Sequence, residues 1–60
     1  MKINNNYTLD QIESTGLKEK EVKDLQVSIY TKDHKVYFFE SVGKKKLRLY
    51  SIINERSFFL

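Results

Sequence analysis

Cysteine and proline are absent from this 60-residue chain, glycine occurs twice and histidine once. Without cysteine there is no disulfide framework and no thiolate zinc site. A single histidine, His34, with no cysteine, leaves no paired nucleophile and base for covalent catalysis, and Asp33 beside it reads as a solvated turn residue. No glycine-rich phosphate loop, metal-ligand spacing, internal repeat or low-complexity segment is found. No apolar run approaches the roughly 18 residues of a membrane span, and the polar start MKINNN is unlike a signal peptide. These absences predict a soluble, cytoplasmic, non-enzymatic protein with no cofactor, metal or small-molecule substrate and no membrane partner. The missing proline, together with abundant Asn, Lys, Ile and Phe, points to an AT-rich coding genome such as that of a low-GC bacterium or its phages.

A hydrophobic content of 40% with 13% aromatics is enough to oppose disorder. One small domain spanning 1–60 is expected, and a chain of this size buries only about 60% of its unfolded surface, so a partner or a second copy is the natural supplement to its core. The net charge of +3 is unevenly spread. Residues 1–26 carry four lysines against five carboxylates, whereas 27–60 carry seven cations against three carboxylates.

Thr8-Leu9-Asp10-Gln11 has the form of a capping box, with Tyr7 and Ile12 at the positions of a hydrophobic staple. Gly16 supplies the left-handed residue that ends such a helix. Leu17 to about Gln26 reads as a second helix, with Leu17, Val22 and Leu25 turned inward and Glu19–Lys23 and Lys20–Asp24 as ion pairs one turn apart. From Val27 the pattern alternates through VSIYT, KVYFFESV and KLRLYSII, which predicts three strands. The expected fold is α+β: two short N-terminal helices followed by a three-stranded antiparallel β-meander.

Turns at Asp33-His34 and Gly43-Lys44 set an expected register. Ile29 then faces Phe38, Tyr30 faces Tyr37 and Thr31 faces Val36, while Phe38 faces Leu49, Tyr37 faces Tyr50 and Phe39 faces Arg48. One face collects Val27, Ile29, Val36, Phe38, Leu47 and Leu49 as core beneath the helices. The other collects Tyr30, Tyr37, Phe39, Arg48, Tyr50 and Ile52.

Within Thr8–Leu25, Gly16 follows Ile12 by four residues and apolar Leu17, Val22 and Leu25 come after it, which resembles a helix-turn-helix motif. The resemblance implies a minimal winged DNA-binding protein similar to excisionases or small phage repressors. Leu17–Leu25 would then read bases, and the Gly43–Arg48 hairpin would bring Lys44, Lys45, Lys46 and Arg48 to the phosphates. Ile12 stands where that family has a small residue, Lys18 where it often has a capping Ser or Thr, and Glu19, Glu21 and Asp24 would meet phosphates with the wrong sign.

The aromatic and basic face is therefore the first expectation for function. Tyr30, Tyr37, Phe39, Arg48 and Tyr50 are the partner-binding candidates, since Tyr and Arg dominate protein interfaces. The occupant would be a protein partner or a second copy in a homodimer. Two other occupants remain open, the apolar tail Ser57-Phe58-Phe59-Leu60 folding back, or a single-stranded nucleic acid stacked on the rings. In size and isolation the chain resembles the regulators and inhibitors encoded by phages and mobile elements.

Overall fold

The computed structural model describes residues 1–20 and 27–58. Thr8 has the extended backbone of an N-cap and heads helix α1, Leu9–Ser14. Its hydroxyl accepts from the Gln11 amide at 3.2 Å, and the Gln11 side chain accepts from the Thr8 amide at 2.9 Å. The capping box expected from sequence is thus complete. Gly16, at φ +87°, turns the chain in the conformation that costs glycine least, and the Lys32 ammonium donates to the Thr15 carbonyl at the end of the helix.

Beyond Gly16 the chain departs from the expected fold. Leu17 is buried, but Lys18–Lys20 forms a strand, β2, and not a helix. It pairs antiparallel with β3, Ser28–Lys32, placing Lys18, Glu19 and Lys20 opposite Thr31, Tyr30 and Ile29. Lysine and glutamate favour helix over strand, but propensity is readily overridden by tertiary context and a short isolated helix is marginal in water, so an available row of backbone partners decides the outcome. Val22, Leu25 and the expected ion-pair members Lys23 and Asp24 lie outside the described residues, as do Phe59 and Leu60 of the apolar tail. A second departure lies before the helix, where Asn6–Thr8 forms strand β1.

The sheet therefore has five antiparallel strands in the order β1-β5-β4-β3-β2, with β4 spanning Lys35–Gly43 and β5 Lys46–Asn54. The three expected strands are its centre, and two three-residue strands extend it on either side. A short helix, α2, Glu55–Phe58, follows β5, and its first amide donates to the His34 carbonyl at 2.9 Å.

The β3–β4 register is the one expected, with Ile29 opposite Phe38, Tyr30 opposite Tyr37 and Thr31 opposite Val36. Asp33 and His34 form its turn with φ of 52° and 66°, the positive values at both central positions that suit the twist of a tight hairpin.

The β4–β5 register differs from the expected one. Phe39 lies opposite Leu49, Glu40 opposite Arg48, Phe38 opposite Ser51 and Tyr37 opposite Ile52, with irregularities between Phe38 and Phe39 and between Ser41 and Gly43. The turn falls on Lys44 and Lys45, where Lys45 has φ 54°. A one-residue shift exchanges the faces of a strand. The extra residue at Tyr50 then leaves Leu47, Leu49 and Ile52 on one side at spacings of two and three.

The main core consequently gathers Ile12, Leu17, Tyr30, Phe39, Leu47 and Leu49, with Tyr7, Leu9, Tyr37 and Ile52 packed against it. Tyr7 and Ile12, the two staple residues, both belong to it. The expected core face is split: Leu47 and Leu49 stay under α1, while Ile29, Val36 and Phe38 alternate to the opposite side of the sheet. Ile29 and Val36 are nonetheless 1% and 0% exposed, so that end of the second side is also closed to water.

Phe39 is the largest fully buried side chain. Phe39→Ala should cost about 3–5 kcal/mol through lost burial and the cavity left behind, and the half-buried Phe38→Ala distinctly less. Chemical denaturation of the two variants checks this, and equal losses would contradict the observed register.

Candidate docking face

The five residues expected to share one working surface do not share it. Tyr30 is 4% exposed and Phe39 is 0% exposed. Their rings meet edge to face at 86° with centroids 5.4 Å apart, the arrangement favoured by opposed ring quadrupoles. Tyr37 is half-buried against the same core. These three hold the domain together and are not presented to a partner. Arg48 and Tyr50 point to the other side of the sheet.

That side is built by alternation along each strand. β2 contributes Lys18 and Lys20, β4 contributes Val36, Phe38 and Glu40, and β5 contributes Lys46, Arg48, Tyr50, Ser51 and Ile53. Tyr50 is 38% exposed although it lies in the middle of a nine-residue strand. Its ring lies 6.2 Å from that of Phe38, tilted by 39°. The irregular pairing beside Phe38 places Tyr50 there, because Tyr50 and Ser51 together stand across from a single residue.

Arg48 and Glu40 are cross-strand partners, and the guanidinium Nη2 is paired with Glu40 Oε1. Both side chains keep roughly two-fifths of their surface in solvent, at 44% and 39%. Such a half-exposed pair contributes little to stability, of the order of a few tenths of a kcal/mol, but it fixes the direction in which Arg48 points. Among the described residues the face thus carries one carboxylate, Glu40, and four cations, beside an aromatic pair. The opposite side has the other sign near Tyr30, where Glu13 and Glu19 stand close enough to act on the phenol.

Phe38 and Glu40 are members of this face that sequence reasoning missed. Their signal was the charge pair itself. Only a register that sets Glu40 across from Arg48 also moves Phe39 to Leu49 and frees Phe38 for the other side. Lys44, Lys45 and Lys46, the nucleic-acid candidates, are all exposed at the β4–β5 turn, and of them Lys46 lies on the same side of β5 as Arg48.

The remaining concave features are open. One of about 540 Å³ is lined by His34, Asn54, Glu55 and Arg56, with His34 Nδ1 3.8 Å from Glu55 Oε2. Among the described residues no group of three or more His, Asp or Glu is placed to share a metal ion, and no helix is long and apolar enough to cross a membrane. No protein-family model, curated protein or solved structure matches the chain.

Burial, then the nearby Glu19 and Glu13 carboxylates, raise the Tyr30 phenol above its ordinary value of 10.0. The folded state therefore holds this proton more tightly than the unfolded chain does. The resulting stability is fully present below about pH 10 and is lost as pH rises through the folded value. Tyr30→Phe should flatten this alkaline loss, which denaturant midpoints measured across the alkaline range would reveal.

Proposed function

We propose that the chain is a non-enzymatic binding module that docks the sheet face carrying Phe38, Arg48 and Tyr50 on the acidic surface of a protein partner. The supporting observation is Tyr50, a large ring left partly in water at mid-strand beside Phe38, on the side of the sheet that also carries Lys18, Lys20, Lys46 and Arg48. Tyrosine and arginine at the centre of a partly desolvated patch are the residues that most often dominate binding energy.

Charge selects among the occupants. An isologous dimer brings the same patch against itself, so Lys18, Lys46 and Arg48, set against Glu40 among the described residues, would repel their copies across a two-fold axis. A partner rich in carboxylates meets them favourably and is steered toward them. A stacked nucleic acid fits this face less well, because Glu40 sits within it and holds Arg48, and the Phe38 and Tyr50 rings lean on one another rather than standing apart as platforms for bases. Occupying a partner's surface in this way is how a small regulator or inhibitor acts without chemistry of its own.

The test titrates isotopically labelled protein with a synthetic peptide of alternating glutamate and leucine, read by amide chemical shifts, alongside the mass in solution. Shifts should centre on Phe38, Glu40, Arg48 and Tyr50 in a monomeric protein. Tyr50→Ser should weaken binding roughly tenfold or more while leaving the melting temperature nearly unchanged. Shifts confined to other residues would remove this face as the working surface, and a stable dimer dispersed by Tyr50→Ser would replace the acidic partner with a second copy.

A further inference from the structure

The β4–β5 turn is a second charged feature, and of its three lysines the docking face shares Lys46 alone. Lys44, Lys45 and Lys46 are exposed in succession, and among the described residues none of them takes part in an ion pair. The turn is anchored. The Leu9 amide donates to the Lys45 carbonyl at 3.1 Å, and Lys46 pairs with Thr8 in the sheet. Lysine stands at the left-handed position, φ 54°, although glycine or asparagine would adopt it at lower cost and Gly43 lies two residues away without a positive φ. A charged side chain is thus kept at a position whose backbone disfavours it, and an observed outlier of this kind is a pointer to function.

We infer that this tip is a contact for the phosphodiester backbone of nucleic acid. Three cations in one turn suit a target that is itself a dense line of charge, since duplex DNA carries one negative charge per about 1.7 Å of its axis and binding releases condensed counterions. Asp10 shares a shallow hollow with Lys44 and Lys45 against the first turn of α1, so the phosphates approach from the outer side of the turn. No base-reading group accompanies the lysines there, so the contact is independent of sequence. Together with the docking face, the tip would let one small chain hold a protein partner beside a nucleic acid.

The experiment measures binding of the intact chain to a short duplex DNA, to a single strand of the same length and to phosphatidylserine vesicles, each across a series of salt concentrations. Changing Lys44, Lys45 and Lys46 to Gln should weaken nucleic-acid binding. It should also flatten the logarithmic salt slope by about 2.7 for duplex and about 2.1 for single strand, three phosphate contacts in each case. A control variant, Lys2, Lys35 and Arg56 to Gln, makes the same change in net charge at exposed sites away from the tip. It should keep most of the binding, and Tyr50→Ser should keep all of it, which separates this contact from the docking face. Equal weakening by the two triple variants would reduce the effect to net charge and overturn the inference. So would the absence of binding at low salt, or a preference for the vesicles over both nucleic acids.

Discussion

The pairing of β4 with β5 is the constraint on which the rest of the molecule depends. These are the two longest strands, and they carry half of the buried core, Val36, Phe39, Leu47 and Leu49. Where Phe39 meets Leu49, and where Tyr50 is squeezed out of the regular alternation, decides which rings close the domain and which stay in water. A bulge is a one-residue event, but in a chain with so few core residues it reassigns a whole face.

α1 is a dependent element. Six residues are too few to persist alone in water. Its cap, the Tyr7 and Ile12 contacts on either side of the cap, and the Lys32 side chain at its far end tie it to strands that come from both ends of the sequence. Ile12 and Leu17 then roof the aromatic side of the sheet, while the more basic side is closed at Ile29 and Val36 and keeps Arg48 and Tyr50 partly in water.

Much of this was legible in the residues, and the parts that were not have identifiable causes. The capping box, the glycine stop, the three central strands and the Asp33-His34 turn are encoded locally, within four or five residues, and pattern reading reaches that far. Lys18–Lys20 reads as helix because lysine and glutamate favour helices and its partner strand lies about ten residues ahead; pairing, not propensity, makes it a strand. β1 is only three residues, Asn6-Tyr7-Thr8, too short for its alternation about Tyr7 to stand out. The second hairpin fails by a single position, since Gly43 invites the turn and Lys45 takes the left-handed conformation instead. Of the expected site, Arg48 and Tyr50 remain on an outward face, while Tyr30, Tyr37 and Phe39 belong to the core; the charge match of Glu40 with Arg48 held the information that would have told them apart.

The two flanking strands also set the limits of growth of the sheet. A strand at the border of a sheet offers unpaired amides and carbonyls on which another chain can be laid down. At the β2 border the chain carries Lys18-Glu19-Lys20, a charge on every residue and on both sides of the ribbon. A neighbouring molecule adding itself there would have to bring its own backbone alongside these charges, and a like copy would set lysine against lysine. The border thus works as a stop, and a protein with an open aromatic patch and very little interior can stay dispersed at the concentrations where unprotected sheets stack into fibres.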